Sequence, residues 1–418
     1  MCIRDSLIFF THYFSPEGNA PASRTHEHCL RWVNAGHRVV VITCAPNVPD
    51  GVVYNGYRNR LWPQRETIDG IEVIRVWTYL AANSGGTKRI LNYLSYLFSA
   101  VFAFTFFCRR PDVVVATSPQ FFCGWAGALA SLIKWRPFVL EIRDIWPESI
   151  IAVDAIKRGT VTNILELLEK WMYGLANQIV AVGNGYRDNI RSKIGAKKTI
   201  SVITNGVDGQ IYKPLPKSRD FLERYELNDR FVCSYVGTLG MAHGLDVVVR
   251  AASLLQKQGR NDIVFCLVGD GARRRAHEAQ VEHLGLEHLV KFTGRLAKSK
   301  MPEILASSDC LLVHLKKTDL FATVIPSKIF ESMAMNRPLI MGVRGDAAEI
   351  VREAQCGIEI EPDNESDLLS AINKLVQDRE LYEQLCQRGR ETVMSNFSRD
   401  ILAERMLGVL KEAANLNR

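Results

Sequence analysis

The 418-residue chain holds no Gly-x-Gly-x-x-Gly, no Asp-x-Asp and no Cys-x-x-Cys. Without the first, the dinucleotide fingerprint is missing and hydride transfer on a nicotinamide is not expected. Without the second, no bound metal is expected to hold a diphosphate, and no cofactor is expected. The ten cysteines are scattered and show no His/Cys ligand spacing, which points to buried, reduced thiols in a cytosolic protein and away from structural zinc. Nor is there a dense Lys/Arg run with interleaved aromatics, so the net charge of +7 suits anionic partners in general while nucleic acid is not among those expected. Low-complexity segments are absent. The apolar run Leu7 to Phe10 is too short for a signal peptide and follows Asp5. Arg4 and Asp5 stand where a buried strand would place apolar residues, and Met1 to Ser6 are therefore expected not to be the native start.

What is present is length and alternation. The chain exceeds one ordinary domain, and 47% hydrophobic residues suffice for sizeable cores, so two domains are expected. Short β-branched runs alternate with helical patterns, the sign of a parallel sheet covered on both faces. In the first half the runs are Leu7 to Phe10, Arg38 to Thr43, Ile71 to Trp77, Asp112 to Ala116, Phe138 to Ile142, Gln178 to Val182 and Ile200 to Thr204. Helices are expected at about Ser23 to Ala35, Gln120 to Lys134, Val161 to Gly174 and Gly185 to Lys193. A Pro-containing stretch breaks the rhythm, and the alternation restarts at Phe231. The fold expected is α/β with two Rossmann-like doubly wound domains. Their boundaries are placed at 1–205, a linker at 206–230, a second domain at 231–395, and a C-terminal helix at 396–418 that packs back on the first domain.

Ile90 to Phe107 departs from this pattern, being apolar except for Asn92, Ser95, Ser99 and Thr105 and flanked by Lys88-Arg89 and Arg109-Arg110. It is borderline in length for a transmembrane helix, and a span here would cut the first sheet in two. A buried crossover helix and a helix lying in a membrane interface both fit.

Several loops sit where doubly wound sheets bind ligands. After the first strand, Gly18 allows close backbone approach to a phosphate or sugar, with Asn19 beside it. In the second half, Gly237-Thr238-Leu239-Gly240 follows a strand, with His243-Gly244 opening a helix, and Val268-Gly269-Asp270-Gly271 repeats the arrangement. Arg143 and Asp144 end a strand, where an arginine can clamp an anion and a carboxylate can bind a hydroxyl or act as base; a structural ion pair between the two neighbours fits equally. In Val324 to Ile340, a short helix is expected from Ser327 to Met335. Its first turn offers backbone N–H groups at Ser327 and the charge of Lys328 to a diphosphate, and Glu331 lies about one turn (~5 Å) deeper, within reach of ribose hydroxyls. The plainer alternative is an amphipathic helix with a Lys328/Glu331 surface pair.

Taken together, Thr204-Asn205-Gly206-Val207-Asp208, Gly237 to Gly244, Val268 to Gly271, Phe292-Thr293-Gly294-Arg295-Leu296 and the Ser327 helix resemble family 4 glycosyltransferases over Phe10 to about Leu416. The resemblance implies a GT-B fold with a central cleft and transfer of a sugar from a nucleotide-sugar with retention. It assigns Glu331 to the ribose, the Ser327 helix start to the diphosphate, and Gly18, Asn19, Gly237, Thr238, His243, Gly271 and Leu296 to the nucleotide-sugar. The family's paired glutamates are broken, since Thr323 stands eight before Glu331, and its usual basic pair falls at Thr238 and His243. Lys328 and Arg295 are then the expected catalytic cations, with Arg143 and Asp144 where many members have a catalytic-loop histidine. Pro-Ser-Lys before Phe330-Glu331 and Arg-Asp-x-Trp-Pro resemble the branch that builds bacterial O-antigen, capsule and colanic-acid-type polysaccharides. That branch implies a UDP-sugar donor, often N-acetylated, a polyprenyl-diphosphate-linked acceptor and work at the inner face of the plasma membrane, with membrane contact through residues 90–107. Two rivals remain at this point: an epimerase of the same build acting on a UDP-sugar, and a non-catalytic sugar-nucleotide-binding subunit.

Overall fold

The computed structural model of the chain describes residues 6–81, 86–118, 120–152, 159–196, 198–317 and 322–415. Residues 1–5 and 416–418, on which the expectations about the start and the last turn fall, lie outside the described residues. The chain divides into two compact units, Met1–Ile203 with Leu402–Arg418, and Thr204–Ile401.

The first unit runs β1 (Ser6–Phe10), α1 (Ala20–Asn34), β2 (Arg38–Cys44), β3 (Gln64–Ile68), β4 (Ile71–Val76), α2 (Gly86–Phe107), β5 (Val113–Thr117), α3 (Phe121–Lys134), β6 (Phe138–Ile142), α4 (Glu148–Ala152), α5 (Thr160–Leu175), β7 (Gln178–Ala181), α6 (Asn184–Ile194) and β8 (Ile200–Val202). Its strands lie in the order β3-β4-β2-β1-β5-β6-β7-β8. All neighbours are parallel except β3 and β4. Successive strand side chains alternate faces. Ile8, Phe10, Val40, Ile42 and Val114 face a core shared with α2, α3, α5 and α6. Leu7, Phe9, Val39, Val41 and Val115 face α1 and the last helix of the chain. Burial on both faces is why these strands read as unbroken apolar runs.

The second unit runs α7 (Arg219–Arg224), β9 (Phe231–Val236), α8 (Asp246–Lys257), β10 (Ile263–Val268), α9 (Arg274–His283), β11 (Val290–Gly294), α10 (Met301–Ser307), β12 (Cys310–His314), α11 (Lys328–Ala334), β13 (Leu339–Gly342), α12 (Asp346–Ala354), β14 (Gly357–Glu359), α13 (Glu365–Gln377) and α14 (Arg379–Asn396). Its sheet is parallel, in the order β11-β10-β9-β12-β13-β14. The chain ends in α15 (Arg399–Asn415), most of which belongs to the first unit. There Trp32 donates its indole N–H to the Ala403 carbonyl at 2.9 Å, and Leu402, Met406 and Leu410 fill the core below β1 and β2.

Several elements differ from the sequence reading. The segment 206–230 is part of the second unit, not a linker: Val207 and Tyr212 are buried in its core, and α7 buries Phe221. Strand β3 escapes the sequence reading because an edge strand alternates partial and full exposure and carries polar side chains. Helix α1 starts at Ala20, ahead of Ser23, because the Asn19 side chain accepts the Ala22 N–H at 2.9 Å and Pro21 fits the first turn.

Helix α2 is long and apolar enough to cross a membrane by length and composition. Its inner face is core: Tyr96, Ala100, Ala103 and Phe104 are fully buried, and the Tyr96 hydroxyl donates to the Ile42 carbonyl at 2.8 Å. Its outer face leaves Leu91, Phe98, Phe102 and Phe106 exposed.

Candidate active site

In a doubly wound sheet, ligands bind at the carboxyl ends of the strands where the winding reverses. In the second unit that point lies between β9 and β12, whose carboxyl ends are Val236 and His314. The loops leaving β9, β10 and β11 stay paired beyond the strands. Gly237 donates to Val268 O at 2.9 Å, Gly269 to Gly294 O at 3.0 Å and Leu239 to Asp270 O at 3.0 Å. This approach needs glycine. At Gly269, where φ is +138°, a Cβ would stand 1.8 Å from the Gly237 carbonyl oxygen; at Gly271 it would stand 2.5 Å from that of Leu239. The sequence reading places Gly271 against the nucleotide-sugar, and the structure sets it against the Leu239 backbone.

Lys328 opens α11 and lays its ammonium on the Tyr235 ring, 3.7 Å from the centroid. Nζ would be 3.0 Å from a Cβ placed at Gly237. The lysine is thus aimed at the turn where β9 ends. Burial pulls its pKa down to about 7, and Glu331 pulls the other way. Tyr235 itself donates to the Thr238 carbonyl at 2.9 Å, which holds both the ring and the loop. Beside it the His243 ring meets Tyr235 edge-on at 5.8 Å. Burial first, then the neighbouring Lys328, lowers the His243 pKa to about 4, so this histidine is neutral at pH 7.

Glu331 lies on α11, three residues after Lys328 and one turn along. The Tyr212 hydroxyl is its neighbour and helps hold the carboxylate's pKa down. Burial raises the Glu331 pKa, and Lys298 and Lys328 draw it back. A partly buried acceptor with a tyrosine and two lysines as its electrostatic neighbours suits a vicinal diol. The plain surface pair does not describe this arrangement.

The start of α11 is less open than expected. The Ile329 amide turns back to Pro326 O at 3.2 Å and that of Phe330 to Ser327 O at 3.1 Å, while Glu331 reaches Ser327 O at 3.4 Å. Ser327 makes no side-chain cap and is exposed. A seven-residue helix with its first amides turned inward leaves most of an anion's charge to the ammonium. A cavity of about 400 Å³ continues from the Gly237 turn, lined by Thr238, Gly269, Asp270, Arg295 and Leu296 among others. Arg295 is exposed at its wall.

Three further residues, which the sequence reading does not single out, complete this site: Tyr212, Lys298 and His314. His314 ends β12 fully buried; Nδ1 faces the His243 carbonyl at 2.7 Å, and Nε2 accepts the Asp363 N–H at 2.9 Å. An N–H donated to Nε2 requires the tautomer with its proton on Nδ1, so the neutral ring ties the 240–244 loop to the turn at Asp363. A histidine at the carboxyl end of a buried strand was the available signal.

The remaining expected residues lie in the first unit. A Cβ added at Gly18 would meet nothing within 4 Å, so space does not demand glycine there. Asn19 is engaged as the cap of α1. Next to them, buried Glu17 accepts the Asn47 N–H at 2.9 Å and the Val48 N–H at 3.2 Å, fixing the loop after β2 to this one. Arg143 and Asp144 do not form the ion pair that adjacency suggested. Arg143 is turned to Glu141 at 3.0 Å, and no ion pair joins it to Asp144. Burial alone would raise the Glu141 pKa; Arg143, Arg24 and His28 outweigh it and hold the carboxylate at about 2. Burial raises that of Asp144.

Two family models match the chain: "Glycosyl transferase 4-like domain" over residues 19–206 and "Glycosyl transferases group 1" over residues 218–392. An alpha-D-kanosaminyltransferase of Streptomyces kanamyceticus is 25% identical over 190 residues, covering 46% of this chain and 48% of its own; the chain thus spans about half the length of this relative. The capsular polysaccharide biosynthesis glycosyltransferase CapM of Staphylococcus aureus is 22% identical over 318 residues, 71% of this chain and 76% of its own. Among solved structures, Anabaena HepE in complex with UDP superposes with a TM-score of 0.68 at 18% identity, covering 97% of this chain and all of that one. With both family models matched in series and each falling on one α/β unit, the chain belongs to the family 4 glycosyltransferases and has their GT-B fold.

Proposed function

We propose that this protein moves a sugar, in some members of its substrate class N-acetylated, from a UDP-linked donor to a polyprenyl-diphosphate-linked or glycan acceptor, with retention and without a metal, in bacterial surface-polysaccharide synthesis at the inner face of the plasma membrane. The observation that carries the reading is the Lys328 ammonium, laid on Tyr235 and aimed at the Gly237 turn, with Glu331 one turn along the same helix. HepE, of the same fold, was solved with UDP, and CapM serves capsular polysaccharide synthesis; both support the choice of donor and product class.

In this reading the nucleobase enters the cavity beside Arg295 and Leu296, the ribose hydroxyls meet Glu331, and the diphosphate lies against Lys328. Breaking the glycosidic bond leaves negative charge on the diphosphate, and a protonated Lys328, with Arg295, stabilises that charge where it develops. The acceptor hydroxyl attacks from the face the leaving group departs. Thr323 and neutral His243 stand where relatives carry a glutamate and a lysine, so the cationic work converges on Lys328.

A thermal-shift screen of nucleoside diphosphates and nucleotide-sugars tests the donor, since a ligand bound only by the folded chain raises its melting temperature with occupancy. Uridine compounds should shift it more than guanosine or adenosine ones; the reverse order would discard the UDP assignment. Incubation with donor alone then separates transfer from epimerisation. Inversion of the sugar without acceptor would favour the epimerase, and absence of turnover with every lipid-linked acceptor offered would favour a binding subunit.

A further inference from the structure

Helix α5 turns polar residues inward and apolar ones outward. It buries Thr162 and Glu169, and it leaves Val161, Ile164, Leu167, Trp171 and Leu175 between 37% and 63% exposed. The inward side is fully engaged: Glu169 accepts the Tyr173 hydroxyl at 2.6 Å and the Lys193 ammonium of α6 at 2.8 Å. The outward apolar row is therefore not a frayed helix. Ile164, Leu167 and Trp171 recur at three- and four-residue spacing, the row by which one helix packs on another. Thr160 and Gly174 continue that row at its two ends, and a Cβ added at Gly174 would meet nothing within 4 Å, so a second backbone has room to come close. The five exposed apolar side chains leave roughly 500 Å² per protomer, so a pair would bury on the order of 1,000 Å², the size at which an interface becomes specific. Leu129 and Leu132 of α3, which meets α5 where Gly124 faces Met172, are exposed as well and add to this.

Charge selects the occupant. Glu166 and Lys170 stand one turn apart on α5, and neither joins an ion pair among the described residues. Two copies of α5 turned antiparallel about a twofold axis at Leu167 would set Glu166 beside the partner's Lys170, Ile164 beside the partner's Trp171 and Val161 beside the partner's Leu175. Twofold symmetry makes every one of these contacts occur twice. The face is thus complementary to itself in charge as well as in shape. An anionic bilayer would meet here a helix with two carboxylates and one lysine, the wrong balance for it.

We propose that the outer face of α5 docks on the same face of a second copy of this chain, antiparallel about a twofold axis with Leu167 at its centre and a Glu166–Lys170 ion pair at either side. The inference stands on this surface alone and does not depend on which sugar is moved or on the donor site.

The test is sedimentation velocity of the full chain, which should show a monomer–dimer equilibrium across ~0.1–100 μM. Leu167→Glu, at a side chain the single protomer already exposes, should raise the dissociation constant at least ~30-fold, the scale of a residue at the centre of an interface. Glu166→Lys places like charges opposite each other twice and should raise it about 5-fold. The double variant Glu166→Lys with Lys170→Glu restores opposite charges across the axis and should return it to within about 2-fold of the parent. Far-ultraviolet circular dichroism and the melting temperature check that each variant folds. A chain that stays monomeric at ~100 μM, or a folded Leu167→Glu variant that dimerises like the parent, would overturn the proposal. A double variant as weak as Glu166→Lys alone would overturn the antiparallel pairing on which it rests. So would a monomer that floats with phosphatidylglycerol vesicles and is released by Leu167→Glu, which would assign the face to lipid.

Discussion

Lys328 exposes the donor site to a test that does not require knowing the acceptor. In the unliganded protein, burial holds its pKa at about 7. A diphosphate bound against Nζ favours the charged form that burial disfavours, so the pKa climbs back toward the ordinary lysine range and binding takes up a proton wherever the free side chain is neutral. A group of pKa about 7 is about nine-tenths protonated at pH 6 and about one-tenth at pH 8, so uptake should rise from ~0.1 to ~0.9 proton between them. Above pH 7, each unit should weaken binding about tenfold, or about 1.4 kcal/mol, until the pKa of the complex is reached. Calorimetry with the best nucleotide-sugar, in buffers of differing ionisation enthalpy, measures both quantities. The diphosphate of a nucleotide-sugar stays ionised across this range, so the slope reports the protein. Lys328→Met should bind more weakly and lose the slope, and Lys328→Ala should lower turnover at least ~100-fold, the scale of one lost charge stabiliser. A dissociation constant that is flat from pH 6.5 to 8.5, or a slope that survives in Lys328→Met, would refute the placement of the diphosphate.

Glu331→Ala should chiefly weaken donor binding; unchanged affinity by calorimetry would remove the ribose assignment. Gly269→Ala meets both a left-handed backbone and the Gly237 carbonyl, and should cost on the order of 3 kcal/mol in urea unfolding. An unchanged midpoint would mean the paired loops are looser than described. Arg143→Met leaves buried Glu141 only the longer ion pair to Arg24, at 3.9 Å, and should cost about 3 kcal/mol near pH 7. Because the folded Glu141 pKa is depressed to about 2, the stability it contributes is present above the ordinary carboxylate pKa and is lost as pH falls toward 2. The gap between Glu141→Gln and the parent should therefore shrink across that range, and a constant gap would contradict the ion-pair reading.

Lys328 and Glu331 were legible because they are local: three residues apart on one helix, they share a face whatever the rest of the chain does. The two parallel sheets were legible for a similar reason, since strands buried on both faces advertise themselves one at a time. Tyr212, Lys298 and His314 come to the same place from separate segments, and only the strand order brings them there. Tyr212 was further hidden by a Pro-containing segment that reads as a connector yet packs as core. At the end of β6, adjacency misled: side chains alternate along a strand, so Arg143 shares its side with Glu141, two residues back, and not with Asp144. Neither apolar content nor length distinguished the two fates of α2, because the helix has both a buried face and a bare one.

The return of the last helix gives the two units unequal independence. Thr204–Ile401 is one uninterrupted stretch, whereas the other unit is assembled from both termini, with the Trp32 indole bonded to Ala403 and Leu402, Met406 and Leu410 in its core. Stopping translation before α15 therefore wounds the first unit and spares the second. The molecule is a natural candidate for splitting: residues 204–401 excised as a single fragment, and the remainder rebuilt as a circular permutant in which α15 is fused ahead of β1.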